Sequence, residues 1–101
     1  LLSSNEPTNP GKIALIPHAD NPTPVYPEQA RRAGLKGDML LKLMINAQGQ
    51  VVDIHVIMGQ EIDESLKQAA FEAVRKWRFI RSDKSDKVVP VTLPISFNLE
   101  T

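Results

Sequence analysis

Ser82, Ser85 and Ser96, the imidazoles of His18 and His55, and the carboxylates of Glu61, Asp63, Asp83 and Asp86 are the side chains whose types could support hydrolysis or metal binding. Their spacing supports neither. No two histidines stand at i,i+4, there is no cysteine, and no carboxylate spacing matches a metal site. No serine sits in a glycine-framed elbow. Gly34 and Gly37 read as a helix end and a strand entry, not a phosphate loop. Arg75, Lys76, Arg78, Arg81 and Lys84 could meet an anionic partner such as lipopolysaccharide or a peptidoglycan carboxylate, but a solvated helix end is the favoured reading. Met39, Met44 and Met58 read as fillers of the core or of a sheet face. No cofactor is implied.

What remains is main-chain chemistry in the last strand, read from Val88 to Leu99. Backbone N–H and C=O groups of alternate residues point to opposite sides of a strand, and Pro90 and Pro94 share one parity. That row lacks two donors, so it must face a free edge and not a ladder inside the sheet. The outer row then offers N–H groups from Thr92, Ser96 and Asn98. Two readings stand: the prolines protect the edge from pairing with other molecules, or the edge is a dock for an extended peptide that adds as a strand.

The elements that position this edge follow from periodicity. Met39, Leu41, Leu43 and Ile45 alternate with polar or mixed residues from Gly37 on, and Ala47-Gln48-Gly49-Gln50 supplies a turn. A returning strand follows, with Val52, Ile54, Val56 and Met58 expected on its inner row. Leu40, Met44, Val51 and Ile57 would then leave apolar area on the opposite face, for the arm or a second copy of the chain to cover. Between Ile62 and Phe79, Ile62, Leu66, Ala69, Ala70, Ala73, Val74 and Trp77 fall at steps of three and four, the stripe of a helix of about fifteen residues. Asp63 suits its N-cap. A shorter helix is expected from Pro27 to Ala33, closed by Gly34 in left-handed conformation. The long helix returns the chain along the sheet, so the third strand pairs with the first. The fold expected is α+β: a three-stranded antiparallel sheet in the order two, one, three, with two helices on one face.

Length and composition allow one small domain. The chain has 101 residues, 42% of them hydrophobic, and a formal net charge of zero. That balance argues against a nucleic-acid surface, and Met39 to Ile45, interrupted by Lys42, is far shorter than the ~20 residues of a membrane helix. Five of the eight prolines precede Val25. Residues 1–24 therefore read as an extended arm or linker end with a short apolar island at 13–16, and residues 25–101 as the domain. A start at Leu1, without methionine, reads as a chain processed or cut from something longer.

The same residues carry a resemblance. Tyr26-Pro27, Ala30, Gly34 and Gly37, the alternating Met39-Leu41-Leu43-Ile45, Gly49, Val51, Val56, Asp63, Ala69-Ala70, Ala73-Val74, Trp77-Arg78-Phe79 and the closing Val-Pro-Val-Thr-Leu-Pro-Ile-Ser-Phe-Asn-Leu resemble the C-terminal domain of TonB energy transducers. The likeness covers Pro24 to Leu99. It implies a periplasmic domain of a Gram-negative bacterium, with an upstream inner-membrane helix and Pro-rich linker engaging an ExbB/ExbD proton-driven motor. It also implies binding of the TonB box of outer-membrane transporters, along the edge carrying Pro90, Thr92, Pro94, Ser96 and Asn98 and against Thr23, Pro24, Val25 and Tyr26. Thr23-Pro24 stands where the family often has Gln-Pro. The alternative within the same fold is an envelope-anchoring module of the TolA-like kind, and exchange of last strands in a homodimer is left open.

Overall fold

The computed structural model describes residues 2–4, 15–83 and 85–98. Its elements run β1 (Leu2–Ser4), β2 (Leu15–Pro17), α1 (Glu28–Arg32), β3 (Gly37–Ile45), β4 (Val51–Met58), α2 (Glu64–Val74), β5 (Phe79–Arg81) and β6 (Val89–Phe97). Alternation dictates the burial of the sheet. Met39, Leu41, Leu43 and Ile45 of β3, with Val91, Leu93, Ile95 and Phe97 of β6, are all buried on one face. Against that face pack Leu66, Ala70 and Val74 of α2 and Ala30 of α1. A side chain of this kind fully removed from water stabilises the fold by about 1.5–3 kcal/mol, so these two strands and α2 make most of the core. The expected α+β architecture, with both helices on one face, is the one observed.

Sheet order extends the expectation. β4, β3 and β6 pair antiparallel in the anticipated order, but β1 adds a fourth strand beyond β6, giving β1-β6-β3-β4. A second, two-stranded sheet pairs β2 with β5, so the arm, expected to be extended and not helical, carries paired strands in its described residues 2–4 and 15–17. Of the apolar island at 13–16, Leu15 and Ile16 lie in β2, and residues 13 and 14 lie outside the described residues, as does Leu99.

Two further expectations are corrected. β4 carries register shifts against β3 between Leu40 and Leu41 and between Met44 and Ile45. Each inserts an extra residue and flips the strand's faces. Ile54 and Val56 therefore face the core as expected, opposite Leu43 and Leu41, while Val52 and Met58 are 53% and 59% exposed and Val51 turns inward. α2 is also shorter than its stripe suggested, eleven residues capped by Arg75. Trp77 lies past its end, still only 6% exposed. Asp63 is the N-cap, accepting from the Ser65 amide at 3.0 Å. Its carboxyl is held below the usual range, first by the Ser65 hydroxyl and then by that amide. Gly34 closes α1 with φ +70°, and Gly49 turns β3 into β4 with φ +81°. Any side chain at Gly49 would strike the backbone carbonyl of Phe79.

Candidate functional site

In β6 the prolines set which side of the strand is free. Pro90 lies opposite Met44 and Pro94 opposite Leu40 in the β3 register. A proline cannot donate across a ladder, so these are pairs whose backbone groups point away from each other. Val91, Leu93 and Ile95 therefore bond to β3, and Pro90, Thr92, Pro94 and Ser96 direct their main-chain groups to the opposite side. The side chains of that second row are half-buried, and Asn98, just past the strand, is exposed.

That side is not open along its whole length. β1 pairs antiparallel with β6, placing Leu2 opposite Phe97, Ser3 opposite Ser96 and Ser4 opposite Ile95. The expectation of a last strand at the sheet's border is corrected at this end, where the chain's own arm occupies the position. Among the described residues, β6 from Val89 to Pro94 has only β3 as a strand neighbour. Ser96 allows this: its outward N–H and C=O form a complete pairing unit, whereas Pro94 accepts but cannot donate. An extended segment tethered nearby fills it.

The Phe97 end of β6 is also where the segment before α1 arrives. The Tyr26 ring stands edge-on to Phe97 with centroids 5.3 Å apart, and its hydroxyl donates to the Leu35 carbonyl. Burial pushes the Tyr26 phenol pKa up. Pro24 is fully buried, whereas Thr23 is exposed and Val25 is 76% exposed. Thr23 and Val25 line a groove with Pro22 and the α2 side, where Ala69 and Ala73 form the floor and Glu72 and Lys76 the rim. Lys36, Gly37 and Asp38 form a polar cleft with Ser96, Phe97 and Asn98. Of residues 23–26, Tyr26 reaches the Phe97 end of β6, whereas Thr23 and Val25 face the α2 groove. Pro90 stands apart, about 23 Å along the strand from Phe97 at ~3.3 Å per residue.

What holds this segment is a strap of specific contacts. Asn21 reproduces a backbone pair with its side chain, donating to the Arg78 carbonyl at 3.0 Å and accepting from the Arg78 amide at 2.8 Å. His18 donates its amide to the same carbonyl at 3.0 Å. Trp77 donates its indole N–H to the Pro22 carbonyl at 2.6 Å. Sequence reasoning did not connect residues 15–22 to 77–81; the visible signals were the apolar island and the Trp-Arg-Phe-Ile run.

Arg81, grouped in sequence with the basic residues of a solvated helix end, does not belong there. Its side chain is 2% exposed and forks onto Asp83, with Nε donating at 2.7 Å, while Nη1 reaches the Lys87 carbonyl at 2.6 Å. The hydrogen bond from Arg81 holds the Asp83 carboxyl below the usual range, and Asp83 in turn raises the guanidinium. His55 lies on the sheet's outer face, its Nε2 2.8 Å from Asp53. Among the described residues, no group of three or more His, Cys, Asp or Glu side chains is placed to hold a metal.

Comparison with known proteins matches the same span. The family model described as Gram-negative bacterial TonB protein C-terminal covers residues 22–99. Protein tonB2 of Pseudomonas aeruginosa is 38% identical over 81 residues, covering 78% of this chain and 30% of that protein. A Protein TonB of Helicobacter pylori is 35% identical over 75 residues, 74% of this chain and 26% of its own length. One from Xanthomonas campestris pv. campestris is 33% identical over 78 residues, 75% of this chain and 34% of its own. The chain therefore spans about a third of the length of these relatives. The solution structure of the Pseudomonas aeruginosa TonB C-terminal domain superimposes with a TM-score of 0.65 at 26% identity, over 86% of this chain and 88% of that one.

Proposed function

This chain belongs to the family of Gram-negative bacterial TonB C-terminal domains, and from that membership we propose that it is the periplasmic receptor-binding end of a non-enzymatic energy transducer. In this reading the outer side of β6 takes the TonB box of an outer-membrane transporter as an added strand. The transducer passes force to it from an inner-membrane proton-driven motor of the ExbB/ExbD type, for uptake of siderophore-bound iron or another nutrient. The motor is engaged by upstream sequence beyond this chain.

One observation carries the reading: an extended segment already lies antiparallel along Ile95, Ser96 and Phe97. A strand can therefore be received there without rearranging β3 or the core. Tyr26, packed on Phe97 at the same end, would meet such a guest, and Thr23 and Val25, exposed on either side of the buried Pro24, are the neighbouring side chains offered to it. Pairing of this kind is weak, because four to six main-chain bonds at about 0.5–1.5 kcal/mol net each work against an association cost of ~4–15 kcal/mol. Micromolar or poorer affinity is expected for an isolated TonB-box peptide. Titration of the isotopically labelled chain with such a peptide tests this. Shifts should cluster on Thr92, Ser96, Asn98 and Thr23; no shift at millimolar peptide refutes the proposal.

A further inference from the structure

We infer that residues Leu2–Ser4 are a resident, displaceable occupant of the partner site on β6, so that the chain competes with its own guest. The inference rests on the strand-addition reading and deepens it by naming how the site is regulated. The register makes the overlap direct. β1 is antiparallel to β6 and centred on the Ser3–Ser96 pair, and Ser96 is an outward-facing residue that carries both donor and acceptor, with the donorless Pro94 two places before it. An incoming strand needs the same two groups.

The pairing is built to be left. β1 has three residues and, among the described residues, β6 as its one strand partner. By parity, Ser3 and Ser96 alone exchange both bonds, because Leu2 and Ser4 direct their main-chain groups away from β6. On the Ser4 side the ladder runs toward Pro94, which accepts but cannot donate. Residence comes from tethering. The arm leads into β2, zipped to β5 at Leu15, Ile16 and Pro17, and from there into the strap held by Asn21 and Trp77. A short tether of this kind gives the arm an effective concentration in the millimolar range, comparable with the weak affinity expected of a peptide in trans.

A guest's apparent affinity is then its intrinsic affinity scaled by the fraction of time the arm is away. With the arm seated about 70–90% of the time, binding weakens about three- to tenfold. The test compares the native chain with S3P and S4P. Proline at position 3 removes the one donor facing Ser96, while proline at position 4 removes a donor that points away from it.

In S3P, amide exchange at Ser96 should accelerate about tenfold, with Ile95, bonded to β3, unchanged. A TonB-box peptide should bind S3P about three- to tenfold more tightly than the native chain, and S4P should behave as native. Equal Ser96 exchange in S3P and the native chain overturns the inference. So does equal peptide affinity in all three forms with Ser96 shifting in each. If S3P releases Ser96 but no form binds the peptide, the arm's residence stands and the proposed function fails.

Discussion

Two segments of the same proline-rich arm lie against the domain, and they are held by different physics. The strap from Leu15 to Tyr26 adds side-chain anchors to the short β2–β5 pairing: Asn21 on both backbone groups of Arg78, the indole of Trp77 on the Pro22 carbonyl, and Tyr26 against Phe97. β1 is placed by backbone register on β6. Side-chain anchors recognise particular residues and make a segment part of the fold. Main-chain pairing recognises any extended strand, which suits a site that must exchange occupants.

The contrast can be broken first at its strongest point. Trp77→Ala should destabilise the chain by about 3–5 kcal/mol, as loss of a buried large aromatic does, and urea unfolding would measure it. Trp77→Phe retains most of the burial and should cost about 0.5–1.5 kcal/mol, the worth of the hydrogen bond to Pro22. If both substitutions cost the same, the indole is packing alone and the strap is not tied through it.

Next comes parity within β6. Ile95→Pro leaves the ladder to Met39 broken and buried, costing about 1–3 kcal/mol beyond the lost side chain. Ser96→Pro places a third proline in the row already holding Pro90 and Pro94, and should change stability by no more than about 0.5 kcal/mol. Circular-dichroism melts of the pair sharpen the assignment of outward and inward rows. Equal destabilisation would mean that Ser96 bonds to β3.

Asn21→Ala should cost about 0.5–1.5 kcal/mol by removing the side-chain pair with Arg78 and should speed amide exchange across β2 and β5. The Ser96 amide should respond less than β2 and β5, because β1 pairs with β6 directly and feels the strap only through the tether. The smallest effect is pH-dependent. Asp83 has a folded-state pKa below its unfolded value, near 3.9, because Arg81 bonds its charged form. Its contribution is therefore present above that unfolded value and is lost as pH falls through the folded one. The stability difference between the native chain and Asp83→Asn should be constant from pH 7 to about 5 and close below about 4.

The architecture was legible because it rests on periodicity. Alternation in 37–45 and 89–97, and a three-four stripe ending near Trp77, specify which faces meet. The two prolines of β6 specified its outward row. Three things were not legible. The bulges that expose Val52 and Met58 insert single residues that leave the apolar composition of β4 unchanged, so no periodic signal marks them. The β2–β5 pairing and the fork of Arg81 on Asp83 depend on contacts across the fold that a run of charged letters does not encode. That the outer side of Ser96 would be taken by Leu2–Ser4 was hidden for another reason: backbone pairing has no residue signature, so any extended segment within reach qualifies.

Amide exchange at Ser96 in S3P, with and without saturating TonB-box peptide, tests the central claim most directly. The account predicts that Ser96, released when the arm can no longer donate to it, regains protection on peptide binding, while Ile95 stays protected throughout. A peptide that binds and leaves Ser96 exchanging freely would contradict it, because the guest would then be held somewhere other than the outer side of β6.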